Sequence, residues 1–214
     1  MGDVEDTISM KWGEQFGWRE KVHKRYPEIW DLPIVRKRVP LVLKYLKDGE
    51  SVLEIGAFNR ALGERLRQHR PRLLYKSLDI DSTFSHDYSS FEEIQETFDV
   101  VLLFEVIEHL DLEAGIGMLA SIQRVLNRGG RLIISTPNVY TPGQYWKDVS
   151  HRTPYHYEEL GGLLLSQQFE LIKICRFFNE PFLTFLIKVY GLALLFRVLG
   201  IDFARSILFV ARKA

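Results

Sequence analysis

Residues 98–109, Phe-Asp-Val-Val-Leu-Leu-Phe-Glu-Val-Ile-Glu-His, constrain the fold more than any other stretch of this chain. From Val100 to Phe104 the run is apolar without alternation, the pattern of a strand covered on both faces in the middle of a parallel sheet. It stops abruptly at Glu105, with Glu108 and His109 close behind. A strand end is a costly place to bury acids, and in open α/β sheets ligands gather at the carboxyl ends of the strands. A helix beginning near Glu105 would place the three side chains at i, i+3 and i+4, on one face. The plainer alternative has Glu108 favouring a helix N-terminus and His109 simply packing.

The flanking segments repeat the pattern. Ser51-Val-Leu-Glu-Ile-Gly56 is a strand ending in an acid and a glycine, and Leu62 and Leu66 give residues 60–68 helical spacing. Residues 73–78 form a second strand, closed by Asp79 and Asp81. Asn127-Arg-Gly-Gly130 is a turn signal after a periodic helix (Leu119, Ile122, Val125, Leu126) and leads into a strand over 131–136. Residues 169–177 and 206–210 supply two late strands. Strands alternating with helices at this interval predict parallel βαβ units in a doubly wound sheet.

Over about residues 35–214 the chain resembles the class I S-adenosylmethionine-dependent methyltransferases. Val52-Leu-Glu-Ile-Gly56 matches the first motif of that family and Leu78-Asp79 the second. Residues 98–109 match the fourth-strand motif, and Leu126-Asn-Arg-Gly-Gly-Arg-Leu-Ile-Ile-Ser-Thr-Pro-Asn138 the fifth. One glycine-bearing strand-turn-helix occurs in many nucleotide binders, so the weight lies in four motifs in the right order and spacing. The resemblance implies a single Rossmann-like α/β domain of seven strands with the last antiparallel. S-adenosylmethionine would lie across the ends of the first, second and fourth strands.

Each motif then acquires an expected task. Gly56 lacks a side chain where backbone must approach the methionine part of the cofactor. Glu54 either holds the cofactor amino group or orders the turn. Asp79 is placed to accept hydrogen bonds from both ribose hydroxyls. Asp87 and Tyr88 fall about where the family contacts adenine, while Ala57, Asn59, Phe104 and Glu105 complete the expected cofactor contacts. The first loop, Gly56-Ala-Phe-Asn-Arg60, has fewer glycines than the family often carries. Asn59 can take a left-handed turn, and Phe58 must point away from the ligand. Only nineteen residues separate Asp79 from Asp99, so the third strand must be short and its helix reduced or absent.

Glu105, Glu108 and His109 are also similar to the Glu-x-x-Glu-His motif of ubiquinone-biosynthesis methyltransferases and of those modifying the 3′-terminal 2′-hydroxyl of small RNAs. Some of these bind a divalent cation there, and the RNA enzymes add a second histidine after a Thr-Pro-Asn strand end, where this chain has His151. Two carboxylates and two imidazoles suit Mg²⁺, Mn²⁺ or Zn²⁺. Without a metal, His109 or His151, supported by Glu108, is the candidate general base, since imidazole titrates near neutral pH. His156 is the third possibility for the base, but the flanking Tyr155 and Tyr157 suggest a lid or pocket wall.

Zero net charge, from 28 basic and 28 acidic side chains, argues against broad nucleic-acid binding. Local basic clusters (36–38 and 65–72) are the usual look of solvated helix faces. The lone Cys175 fits a reducing compartment or a buried thiol. The charged N-terminus carries no signal-peptide pattern, so a cytoplasmic location is expected. Residues 1–33, rich in aromatic and charged side chains, are expected to form a helical cover over the cofactor cleft of a domain spanning 34–214. Residues 181–201 form a very apolar insertion between the last two strands. Lys188 and Arg197 interrupt it nine residues apart, so it neither spans a membrane nor forms a cleanly amphipathic helix. Two short helices broken at Gly191 are expected, with an extra packed pair, membrane-surface contact or a homodimer interface as their use.

The expected activity is O-methylation of a small-molecule, lipid-linked or sugar hydroxyl, mainly by positioning. A non-catalytic cofactor-binding protein of the same fold is the alternative left by the glycine-poor loop. An NAD-type oxidoreductase is disfavoured by the single glycine after the first strand and by the Glu-x-x-Glu-His motif.

Overall fold

The computed structural model describes residues 12–214. One mixed sheet organises them. In chain order its strands are β1 (Ile34–Val35), β2 (Ser51–Ile55), β3 (Leu74–Leu78), β4 (Phe98–Phe104), β5 (Leu126–Pro137), β6 (Phe169–Phe177) and β7 (Ser206–Lys213). Their order across the sheet is β1-β6-β7-β5-β4-β2-β3. Neighbours run parallel except at β7, which is antiparallel to both β5 and β6. The doubly wound, seven-stranded α/β sheet with its last strand antiparallel is therefore as expected. Val100 to Leu103 are fully buried in the middle of it.

One strand differs from expectation. Between Asp79 and Asp99 no third strand forms; a single bridge joins Tyr88 to Leu78, followed by a 3-10 turn at Phe91–Glu93. The side chains there satisfy their own backbone instead of a ladder. Asp81 accepts from the Thr83 N–H at 2.9 Å and Glu93 from the Ser89 N–H at 2.7 Å. The seventh strand comes from the opposite edge, where Ile34 and Val35 pair with Arg176 and Phe177.

The helices are α1 (Trp12–Arg25), α2 (Arg38–Lys44), α3 (Ala61–His69), α4 (Leu112–Val125), α5 (Tyr157–Ser166), α6 (Phe182–Leu186) and α7 (Ala193–Leu199). In α4 the buried Ile116, Leu119, Ile122 and Val125 recur at helical spacing and face the sheet, and Asp111 caps its first turn by accepting from the Ala114 N–H at 2.9 Å. The Asn127–Gly130 turn signal lies inside the irregular start of β5, where the register against β4 shifts between Phe98 and Val100. Asn127 holds that shift by donating to Asp99 at 2.9 Å.

Of the expected N-terminal cover, residues 1–11 lie outside the described residues. The packing partner of α1 is α5: Gly162 leaves room for the Arg19 backbone and Gly161 for Val22, and Arg19 pairs with Glu159 at 2.7 Å. Val22, Ile29 and Leu32 are buried in the main core, so residues 12–33 share the hydrophobic core of the sheet. Cys175 is fully buried in β6, and burial pushes its thiol up to about 11.

A buried ionic knot fixes the far end of the sheet. Arg176 pairs with Asp202 at 2.9 Å and donates to the carbonyls of Leu32 and Trp30. Asp202 also accepts from Asn138 at 2.8 Å and from the Ala204 N–H at 3.1 Å. Asn138, the last residue of the fifth motif, thus ties the end of β5 to the entry of β7. No described helix is long and apolar enough to cross a membrane. As expected, residues 182–199 form a broken pair: α6 runs through a π-helical turn to Gly191, and α7 leaves at a 61° bend.

Candidate functional site

The ends of β2, β3 and β4 form a continuous edge. Gly56, at the end of β2, takes a left-handed φ of 69°, and a Cβ there would lie 2.3 Å from Val106 Cγ2. Its lack of a side chain therefore has an explanation within the protein, alongside the expected approach of a ligand. Asn59 does not take the left-handed turn; Phe58 and Arg60 do, at φ 43° and 60°. Asn59 instead accepts from the Ala61 N–H at 3.1 Å, starting α3. Phe58 is exposed, its ring edge-on to Phe84 at 5.0 Å. Ala57 is buried, with its carbonyl accepting from the Arg60 N–H at 2.8 Å.

Asp79, at the end of β3, staples the two loops together. One carboxylate oxygen accepts from the Phe58 N–H at 2.8 Å and the other from the Asp81 N–H at 3.0 Å. Each oxygen keeps a further lone pair, the capacity a pair of ribose hydroxyls requires.

Three other residues expected at the cofactor also make contacts within the protein. Glu54 is buried and accepts from the Tyr75 hydroxyl of β3 at 2.6 Å. Burial pushes its carboxyl up to about 7 against that hydrogen bond and the charge of Arg38. Asp87 accepts from the Ser77 N–H at 2.9 Å and pairs with Arg60 at 3.0 Å. The Tyr88 hydroxyl is bonded to Glu96 and accepts from Lys76 at 3.1 Å. Tyr88 and Asp87 thus replace the missing strand as edge fastenings of β3.

The helix expected from Glu105 does not form. Glu105 takes a left-handed φ of 55°, a 3-10 turn follows at Ile107–His109, and α4 begins only at Leu112. The break separates the carboxylates. Glu105 accepts from the Ser135 hydroxyl at 2.5 Å and lines a cavity of about 590 Å³ beside Arg38. Phe104 is half-buried beneath the Arg38 guanidinium, 4.6 Å from its ring centre.

Glu108 turns inward, where it meets His109 and His151. One ligating atom from each of the three lies within 4.8 Å of the others, and Glu105 is not among them. Glu108 is wholly buried, and burial plus the charge of Glu105 push it up to about 8 against the pull of the Thr136 hydroxyl. The backbone holds the cluster shut: the N–H groups of Arg152 and Thr153 both donate to the Glu108 carbonyl, at 2.7 and 3.1 Å.

The imidazoles are oriented by their neighbours. Ser150 gives its hydroxyl proton to Asp148 at 2.6 Å, so toward His109 Nδ1, 2.8 Å away, it is the acceptor. His151 Nδ1 donates to the Tyr145 carbonyl at 2.6 Å. Both rings therefore present Nε2 with a free lone pair, ready to take a proton or a cation. His156 is spent differently: it caps α5 by accepting from the Glu158 N–H and bonds the Tyr140 hydroxyl at 2.5 Å. Burial lowers its pKa against the charge of Glu158.

Ser150, Tyr145 and Ser135 were not evident as site residues. Asp148-Val-Ser150 does carry an Asx-turn signal next to His151. The Tyr145 and Ser135 contacts depend on where loop and strand end meet, which no local pattern reports. The hydroxyls of Tyr145 and Tyr155 are buried, and both feel the charge of Glu108.

Residues 23–195 match the family model described as a methyltransferase domain. No curated protein sequence matches the chain. Among solved structures, it is similar to a SAM dependent methyltransferase from Archaeoglobus fulgidus, with 21% identity and a TM-score of 0.65 over 91% of this chain and 94% of that one. The N-methyltransferase NodS from Bradyrhizobium japonicum, in complex with S-adenosyl-L-homocysteine, is 14% identical with a TM-score of 0.57 over 94% and 98%. An O-methyltransferase family protein from Burkholderia thailandensis is 12% identical with a TM-score of 0.57, over 82% of this chain and 55% of that one. At these identities the structural likeness shows the fold.

Proposed function

This chain belongs to the methyltransferase-domain family, and on that premise we propose that it methylates a hydroxyl of a small-molecule, lipid-linked or sugar acceptor. S-adenosylmethionine supplies an electrophilic methyl group on its sulfonium. The Gly56–Arg60 loop and Asp79 hold it across the ends of β2, β3 and β4. The acceptor hydroxyl lies against His109 and His151. Its oxygen attacks the methyl carbon in line, the carbon–sulfur bond breaks, and an imidazole Nε2 takes the hydroxyl proton.

The carrying observation is Val106. Its side chain packs against Gly56 in the first loop, and the next residues are the Ile107–His109 turn that bears the acid and one imidazole. The loop expected to hold the cofactor and the turn expected to hold the acceptor are thus in direct contact.

The buried carboxyl of Glu108 favours a second reading. It lies with ligating atoms of His109 and His151 within 4.8 Å, and a cation among the three would be met by its ionised form. Mg²⁺, Mn²⁺ or Zn²⁺ there would lower the pKa of a bound hydroxyl and orient it.

Transfer of labelled methyl groups from S-adenosylmethionine to hydroxylated quinones, sugars and lipid-linked glycans tests the proposal. The expected result is label on an acceptor hydroxyl, reduced by roughly 10²–10⁴-fold in His151→Ala with S-adenosylhomocysteine affinity retained. Full activity in both His109→Ala and His151→Ala would refute the acceptor site.

A further inference from the structure

The outward face of the bent helical pair between β6 and β7 is almost wholly apolar. Phe182 is 62% exposed, Leu183 70%, Tyr190 68%, Leu194 78%, Val198 76% and Leu199 58%. The inward face is anchored, with Phe185 buried against Phe178 and Ala204 in a small core of its own. A patch this concentrated marks a contact surface.

We propose that this pair docks the protein on an anionic lipid bilayer, with its apolar face at the acyl-chain boundary, and that the cationic cavity at its root receives the lipid's anionic headgroup. The 61° bend and the shortness of both arms suit a segment lying in the interface plane. Charge selects lipid over a second copy of the chain. Residues 181–201 contain no acid; Lys188 is paired with the adjacent Glu180 at 2.5 Å, so the positive charge of this face rests on Arg197 and on the cations of the cavity at its root. A two-fold pairing of this face would bring like charges together, whereas an anionic surface meets them with opposite charge.

The cavity of about 590 Å³ lies where the pair leaves and rejoins the sheet domain, between Asn179 and Arg205. Arg36, Lys37, Arg38, Arg65 and Arg205 line it, and Glu105 is the only acid among its lining residues. Arg36 couples cavity and pair: its guanidinium lies 4.6 Å from the Phe185 ring and 5.3 Å from the Phe182 ring, and it donates to the Glu180 carbonyl at 2.9 Å. A lipid lying along the pair would therefore bring its headgroup to the cations beside Glu105. That this lipid carries the methyl acceptor rests on the function proposed above; the docking does not.

Vesicle flotation tests the docking without any need for turnover. The protein is floated with vesicles of phosphatidylcholine alone and of phosphatidylcholine mixed with phosphatidylglycerol. Binding to the mixed vesicles is expected, with far less to the neutral ones. Leu194→Glu/Val198→Glu should reduce the bound fraction by roughly tenfold or more while leaving the melting temperature unchanged, because both side chains face solvent. Arg205→Glu should weaken the preference for anionic vesicles. Failure of the wild type to float with anionic vesicles would overturn the proposal. So would a lipid-free dimer, seen by sedimentation equilibrium, that the double variant dissociates, since the face would then belong to a second copy.

Discussion

The rings of His109 and His151 meet edge to face with centroids 4.8 Å apart, and each turns its Nδ1 away from the other into a hydrogen bond of its own. Two residues forty-two positions apart in the chain thereby share one tautomer and one direction. Fixing Nδ1 is the usual means by which a protein makes Nε2 a base or a ligand.

Chelation separates the two uses of that lone pair. With an imidazole as base, methyl transfer should persist after treatment with EDTA followed by desalting, and S-adenosylhomocysteine affinity should not change. A chelator-sensitive rate restored by Mg²⁺, Mn²⁺ or Zn²⁺ would replace the base with a cation. In that case Glu108→Gln should raise the metal requirement sharply, since the site loses its anionic ligand.

Gly56 is fixed by both its φ and its neighbour. Gly56→Ala should cost about 2–4 kcal/mol in denaturant unfolding, from a left-handed φ and a clash with Val106. Adding Val106→Ala should recover the clash and leave about 1–2 kcal/mol of backbone strain. Strict additivity of the two substitutions would mean that the side chains do not meet.

Glu54 makes stability depend on pH. Its carboxyl is raised in the folded state to about 7, so folding favours the protonated form. Nothing is lost below the ordinary carboxylate range. Stability then falls as pH rises from about 4.5 to about 7, by on the order of 3 kcal/mol. In Glu54→Gln this loss should vanish, measured as the difference between variant and wild type in urea unfolding at pH 5 and pH 8. Equal pH dependence in both would show that Glu54 is ionised in the fold at low cost.

Asp202→Ala should destabilise the protein by about 3–5 kcal/mol, because it leaves the buried Arg176 guanidinium without its counter-charge. Thermal and urea unfolding check this. A loss below about 1 kcal/mol would place the pair in the class of solvent-screened surface bridges.

What the sequence disclosed follows from the range of the interactions. Val100 to Leu103 announced a central strand because burial on both faces leaves a local trace, and the 181–201 pair was visible from its apolar run and Gly191. The left-handed Glu105 left no such trace. It is imposed where β4 meets Ser135 of β5, and it sends Glu105 and Glu108 to different places although the spacing suited one helical face. Asp87 and Tyr88 were assigned to adenine by their position after β3. With the third strand reduced to one bridge, Asp87 Oδ2 and the Tyr88 hydroxyl also fasten the sheet edge. The Arg176–Asp202–Asn138 knot joins residues from three separate regions, a relationship that single-chain periodicity does not encode.

The central claim is that the ends of β2, β3 and β4 bind S-adenosylmethionine, with Asp79 on the ribose, next to a separate acceptor site at His109 and His151. Titration calorimetry with S-adenosylhomocysteine tests it most directly, on wild type, Asp79→Ala and His151→Ala. One saturable site is predicted for the wild type, with affinity weakened by about 1–3 kcal/mol in Asp79→Ala and unchanged in His151→Ala. Wild-type affinity in Asp79→Ala, or no binding by the wild type, would contradict it.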